Sequence, residues 1–209
     1  MVTAPTDLTE SEHRAAASAS LDALFAGNQR FISGETLDHR VSEVQRAELA
    51  AGQNPMAAVF GCVDSRVPPE VLFDLGLGEV LTIRTAGQAL GGAALGSIEF
   101  GVRALGLELL VVSGHNGCGA VAAALAPDPL GGPLGDLRAE LVERLEASGA
   151  PTEPDQASIA NVLGTIAELR AMDWLLTPSG HAPVVVGLVH DLATESIAIV
   201  DDGGLDLRA

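Results

Sequence analysis

Two cysteines and one histidine stand in two chemically dense runs, Gly61-Cys62-Val63-Asp64-Ser65-Arg66 and Gly114-His115-Asn116-Gly117-Cys118-Gly119. Two thiolates and one imidazole make a three-ligand set for zinc and leave a fourth position for water or substrate. Only two residues separate His115 from Cys118, so one tight turn presents both to the same ion, while Cys62 arrives from a distant segment. Structural zinc sites close their tetrahedron with four protein ligands. The candidate fourth here is Asp64, an oxygen ligand that can be displaced. Three firm ligands and one conditional ligand describe a catalytic metal. Asp64 and Arg66 are two positions apart and share a face of an extended segment. The planar Arg66 fork can therefore engage the Asp64 carboxylate and keep it off the metal. A Cys62–Cys118 disulfide is the competing use of the two thiols, but it leaves His115, Asp64 and Arg66 unexplained and is disfavoured in a reducing cytosol.

Cys-x-Asp-x-Arg followed by a distant His-x-x-Cys resembles the β-class carbonic anhydrases. The resemblance runs through most of the chain: Leu24, Gly27-Asn28 and Arg30-Phe31, then Gln53, Cys62 to Pro68, Gly78, Arg84-Thr85-Ala86-Gly87 and Ser97-Ile98-Glu99. It continues from Gly114 to Val121, at Asn161-Val162 and between Val184 and Val200. The resemblance implies one zinc ion per subunit and reversible hydration of carbon dioxide to bicarbonate and a proton through zinc-bound hydroxide. It also implies that Asp64 either orients that hydroxide while paired with Arg66 or ligates zinc as the fourth donor. Gln53, nine residues before Cys62, matches a glutamine that binds substrate in the plant-like branch, and Leu81 and Phe100 match two aromatic pocket positions of that branch. Here both are apolar, so one phenolic hydroxyl is missing. The bicarbonate-regulated branch carries a tryptophan three residues before the first cysteine; this chain has Val59 there and its single tryptophan at Trp174. Thr85 and Gln88 depart from the asparagines usual in the corresponding family segment.

Two other functions compete. One is hydrolysis of carbonyl sulfide or carbon disulfide on the same zinc, against which Ser65 in the first motif argues. The other is a non-catalytic zinc-binding interaction protein, for which an Asp64–Arg66 pair has no use.

Composition narrows the partners. The formal charge is −17, which repels nucleic acid and anionic membrane surfaces. The eleven basic residues are all arginine, tyrosine is absent, and aromatics are 3% of the chain. The core must therefore be made of Ala, Val, Leu and Ile. No basic segment followed by an apolar run opens the chain, and no apolar stretch of about twenty residues exists for a membrane span. A soluble, cytoplasmic protein is expected.

The elements that would position the ligands follow from periodicity and caps. Thr9-Glu10-Ser11-Glu12 has capping-box spacing for a helix ending near Gly27, and Ser42 to Gln45 repeats the signal for a short helix stopped by a left-handed Gly52. Arg30 to Val41 reads as a loose connection. Ala57–Cys62, Glu79–Arg84, Glu108–Ser113, Pro183–Val189 and Ser196–Val200 read as strands. Helices are expected from Pro68-Pro69 to near Gly76, over Leu95–Leu105, after Cys118 to Leu125, over Asp136–Ala147 and over Ala157–Leu176, with a linker over 150–155. Alternation of strands and helices predicts an α/β fold: a central sheet of four parallel strands plus an antiparallel edge strand, flanked by helices. We expect a single domain over 1–209, with an N-terminal helical arm (1–51) and an α/β core (57–209). The family resemblance implies a homodimer or homotetramer in which this arm wraps the partner. Leu21, Leu24, Phe25 and Phe31 make the arm apolar, so it needs a surface, either a neighbouring subunit's or its own domain's. His13 and His39 are expected at the surface or an interface, and His190 as a partnered structural histidine.

Overall fold

Capping chemistry starts the first two helices. Thr9 Oγ1 accepts from the Glu12 N–H at 3.3 Å while the Glu12 carboxylate accepts from the Thr9 N–H at 2.9 Å, opening α1 (Glu10–Ser33). Ser42 and Gln45 repeat the exchange at 3.2 and 2.9 Å to open α2 (Glu43–Ala51). The computed structural model describes residues 8–149 and 151–205. Ala150 of the expected linker, and the ends 1–7 and 206–209 of the expected domain, lie outside the described residues.

Gly27 does not stop α1. A Cβ at Gly27 would lie 1.7 Å from the Phe73 carbonyl oxygen, so glycine is there to let the helix touch the neighbouring backbone. The stop is Gly34, left-handed at φ 74°. The expected loose connection therefore begins after Ser33. Gly52 ends α2 in extended backbone, φ 173°, and not in the expected left-handed turn.

Five strands form one sheet: β1 (Ala57–Cys62), β2 (Val80–Thr85), β3 (Leu109–His115), β4 (Val184–His190) and β5 (Ile197–Asp201). Their order is β2-β1-β3-β4-β5, parallel throughout except for the antiparallel edge strand β5. β1 and β3 are buried at every position, which is why Ala57–Phe60 and Leu109–Val112 read as apolar runs without alternation. Helices α3 (Pro69–Leu72), α4 (Gly92–Glu99), α5 (Gly119–Leu125), α6 (Gly132–Ala147) and α7 (Pro154–Arg170) complete the framework. A π-helical turn over Phe100–Ala104 extends α4. α7 stops short of Leu176, because the chain turns before Pro178 and closes a loop through the Thr177 N–H on the His181 carbonyl at 2.8 Å.

α4 and α7 cover one face of the sheet through Ile98, Val162, Ile166 and Leu169. The other face is covered by α1. Ala17, Leu21 and Leu24 are fully buried against Val59, Val111, Val186 and Leu188 of the same chain. The apolar stripe of α1 thus has a sheet of its own to cover. His13, expected exposed or at an interface, is buried and donates from Nδ1 to Glu108 beside β3. His39 is half-buried and bonded to the buried Asp74 at 2.7 Å. α2 contributes no buried residue.

The Gly27 contact gives a stability test. Alanine gains about 1 kcal/mol over glycine in a helix interior, yet Gly27→Ala should lower stability by about 1–3 kcal/mol through overpacking against Phe73. Urea unfolding checks this; an unchanged or raised midpoint would contradict the close approach.

Candidate metal centre

Neighbouring parallel strands deliver the first two donors. Cys62 is the last residue of β1 and His115 the last of β3, strands that lie side by side at the centre of the sheet. Their carboxyl ends are where open α/β sheets place their sites. After β3 the chain reverses through Gly117, left-handed at φ 60°, which sets Cys118 at the head of α5. Asn116 steadies this turn by donating to Asp191 at 2.9 Å and accepting from the Leu192 N–H at 2.9 Å.

The three donor atoms of Cys62, His115 and Cys118 lie within 4.8 Å of one another, and all three residues are buried. The sulfurs are 3.9 Å apart. That separation is far too long for a disulfide, at about 2.05 Å, and close to the edge of about 3.8 Å expected between two thiolates bound tetrahedrally at about 2.3 Å. The His115 ring is fixed by its Nδ1, which faces the Asn116 carbonyl at 2.9 Å. A carbonyl only accepts, so Nδ1 carries the proton and Nε2 presents its lone pair. That Nε2 is buried and has no hydrogen-bond partner. An unpartnered imidazole nitrogen beside two thiols is the donor set of a soft or borderline divalent metal, and these residues fit one.

The two sulfurs shift one another in opposite directions. The Cys118 S–H beside Cys62 holds the Cys62 thiol well below its usual range, against its burial and with help from His115 and backbone amides. The same pairing, together with burial, pushes Cys118 up. Burial disfavours the charged form of His115, but the Cys62 thiolate outweighs it and the net shift is upward. A metal that binds here must displace the proton that Cys118 holds so firmly.

Asp64 borders the cluster. Its Oδ2 lies 4.0 Å from His115 Nε2. Arg66 grips the carboxylate from the other side, Nε to Oδ1 at 2.9 Å and Nη2 to Oδ2 at 2.7 Å. The Arg66 side chain holds Asp64 well below the usual carboxylate range, and its backbone N–H adds to this against partial burial. The spacing works through a turn and not through an extended segment: Asp64 Oδ1 also accepts the Arg66 N–H at 3.0 Å, the Asx geometry that short acidic side chains favour. Arg66 continues to the Gly117 carbonyl at 3.3 Å and so ties the first motif to the second.

Sequence reasoning missed two neighbours of the site. Arg84 in β2 donates to the Cys62 carbonyl at 2.8 Å and to the Asp64 carbonyl; its only signal was membership of the Arg84–Gly87 run. His190, paired with His115 in the β3–β4 register, is buried with both ring nitrogens unpartnered. The expectation of a partnered histidine fails there, and burial, then the nearby His115, lowers its pKa.

The remaining candidates lie elsewhere in the single chain. Gln53 is exposed at the opposite end of β1, beside Gln45, Leu49, Met56 and Leu77, about 16 Å of strand from Cys62. Leu81 and Phe100 line one groove at edge strand β2, together with Ala93 and Ser97. Leu81 pairs with Ala58, well short of Cys62.

Comparison with known proteins agrees with this geometry. The family model described as carbonic anhydrase matches residues 57–197. Carbonic anhydrase 2 of Mycobacterium tuberculosis is 39% identical over 198 residues, covering 91% of this chain and 92% of the relative. A carbonic anhydrase of Mycolicibacterium smegmatis is 38% identical over 200 residues, covering 91% and 93%. Among solved structures, a β-carbonic anhydrase of Aspergillus fumigatus superposes with a TM-score of 0.59 at 25% identity over 74% of this chain and 79% of its own. The Coccomyxa β-carbonic anhydrase shares the fold, with a TM-score of 0.63 at 24% identity over 73% and 75%. Strand order, the Cys62–His115–Cys118 cluster and relatives spanning nearly the whole chain converge: this chain belongs to the β-class carbonic anhydrases.

Proposed function

We propose that the chain catalyses the reversible hydration of carbon dioxide to bicarbonate and a proton, with one zinc ion per subunit held by Cys62, His115 and Cys118. The observation that carries this is the buried, unpartnered Nε2 of His115 beside two free thiols, with a carboxylate 4.0 Å away. Zinc at such a site supplies a Lewis acid that makes water nucleophilic near neutral pH.

The protein's own groups divide the remaining work. The two thiolates offset the charge of the dication, and the Asn116 carbonyl keeps His115 in the tautomer whose Nε2 donates. Asp64 Oδ2, the oxygen that faces the cluster, accepts a hydrogen bond from the attacking water and so sets which lone pair meets the carbon of CO2. A strongly depressed pKa keeps this carboxylate an acceptor. Arg66 holds both oxygens of Asp64 and thereby stops it from becoming the fourth ligand. Val59 in place of tryptophan supports the unregulated, plant-like branch.

Gln53, Leu81 and Phe100 serve the substrate pocket in this proposal only if a second copy brings them to the cluster. A single domain assembled as a homodimer, or as a pair of dimers, accounts for their distance from Cys62 in one chain. It also accounts for a shell of exposed apolar side chains around α2 and β2: Val44 and Leu77 at 67% exposure, with Leu37, Val71 and Phe100. α2, and not the α1 helix buried on its own sheet, is then the element that reaches the partner. Among the described residues no helix is long and apolar enough to cross a membrane. The high negative charge argues against nucleic acid, and we place the protein in the cytoplasm.

Stopped-flow assay of the zinc-loaded protein tests the activity, and the dyad variants test its mechanism. Arg66→Ala should keep its zinc yet hydrate CO2 about 10–100-fold more slowly, the usual cost of losing an outer-shell partner; Asp64→Asn should do the same. Wild-type turnover in both variants would remove Asp64 and Arg66 from the mechanism.

Assembly is checked separately by light scattering. The wild type should report a dimer or larger, and the doubly substituted Val44→Glu, Leu77→Glu protein should be a folded monomer. A wild-type mass for that variant would exclude the α2 face as the interface.

A further inference from the structure

A buried chain of polar groups runs from α6 to the first ligand sulfur, and the reaction as described makes no use of it. Arg144 of α6 has a side chain only 1% exposed. It donates to Glu168 at 2.7 and 3.2 Å, to Glu140 at 2.8 Å, and from Nη1 to Asn161 Oδ1 at 3.0 Å. α7 makes room for it: a Cβ on Gly164 would lie 2.4 Å from Arg144 Cγ. Guanidinium groups only donate, so Asn161 must turn its oxygen toward Arg144 and its NH2 group away. That NH2 group donates to the Gly87 carbonyl at 2.7 Å and to Gln88 Oε1 at 3.0 Å. Gln88, accepting at its oxygen, donates from Nε2 to the Ser113 carbonyl of β3 at 2.8 Å. The Gly87 N–H then donates to Cys62 Sγ at 3.4 Å.

One cation thus fixes the direction of every side-chain amide bond in the chain. Asn161 is fully buried and Gln88 nearly so, positions where a polar side chain is costly unless its bonds are made. Gly87 and Gln88 are both left-handed, at φ 62° and 56°, a conformation that glutamine resists. A Cβ on Gly87 would also meet Leu141 at 2.6 Å and Ala120 at 3.0 Å. A segment so disfavoured locally keeps its shape because Asn161 and Ser113 hold it from both sides.

We propose that Asn161, oriented by Arg144, is a positioning residue for the metal centre: through Gly87 and Gln88 it holds the N–H donor on the Cys62 thiolate. This rests on the metal-centre reading and extends it. The donor draws charge from the sulfur, weakens its donation to the metal and leaves the metal the stronger Lewis acid. It also keeps Sγ placed for the metal, and losing that placement costs more metal affinity than the stronger sulfur donation returns.

Cobalt(II) in place of zinc gives a readout that a merely structural role would not move, the thiolate-to-cobalt charge-transfer band. Asn161→Asp keeps shape and the acceptor for Arg144 but removes both donors and sets a carboxylate against the Gly87 carbonyl. Its band should move to longer wavelength, and a chelator should strip its metal about tenfold faster or more. Gln88→Gly keeps the left-handed backbone and removes only the side-chain links, so it should shift both readouts the same way by less. A folded Asn161→Asp protein, checked by circular dichroism and gel filtration, with the wild-type band and release rate overturns the proposal. If Asn161→Asp does not fold, Gln88→Gly decides, and an unchanged band and rate overturn it. A wild-type protein with no thiolate-to-cobalt band overturns the metal-centre reading itself, whereas a normal band indifferent to both substitutions sinks this inference alone.

Discussion

Burying two thiols and a bare imidazole nitrogen against one another is unfavourable until a cation joins them. The 3.9 Å sulfur separation and the orphaned His115 Nε2 are the constraint around which the rest is arranged. The parallel pairing of β1 with β3 brings Cys62 beside the second motif, and left-handed Gly117 folds Cys118 back to the same point. Asn116 fixes the ring from one side. Arg84 ties down the backbone on either side of Val63, and Arg66 links Asp64 to Gly117. The common effect of these contacts is that three donors and one carboxylate keep their places.

Charge is handled by direction as much as by amount. Asp64 is poised between a bidentate arginine and the cluster, so its two oxygens are held while one edge still faces His115. Arg144 plays the corresponding part deeper in the domain, where its donor-only character dictates how Asn161 and Gln88 must point. A carboxylate in place of either amide would break that order.

Much of this was legible in the sequence, for physical reasons. Ligand chemistry is local: Cys62, Asp64, Arg66, His115 and Cys118 announce themselves by type and spacing. Both capping boxes are likewise written in four residues each, and the buried parallel strands in apolar runs. What was misread depends on distant contacts. Gly27 looks like a helix stop because glycine usually is one, and only the Phe73 backbone lying against it shows otherwise. The apolar stripe of α1 predicts a covered surface without saying whose, and here the surface is its own sheet. His13 and His190 carry no local mark of burial. The Asp64–Arg66 spacing pointed to the right pair through the wrong geometry, since a turn and not an extended segment brings them together. Gln53, Leu81 and Phe100 were visible only through family resemblance, and a single chain does not bring them to the metal ligands.

The central claim is the identity of the ligands, and X-ray absorption at the zinc edge on the purified protein tests it most directly. The account predicts zinc near one per chain, two sulfurs at about 2.3 Å and one nitrogen at about 2.0–2.1 Å, with a single further light-atom ligand. A first shell with fewer than two sulfurs, or a folded protein that retains no zinc, would contradict it.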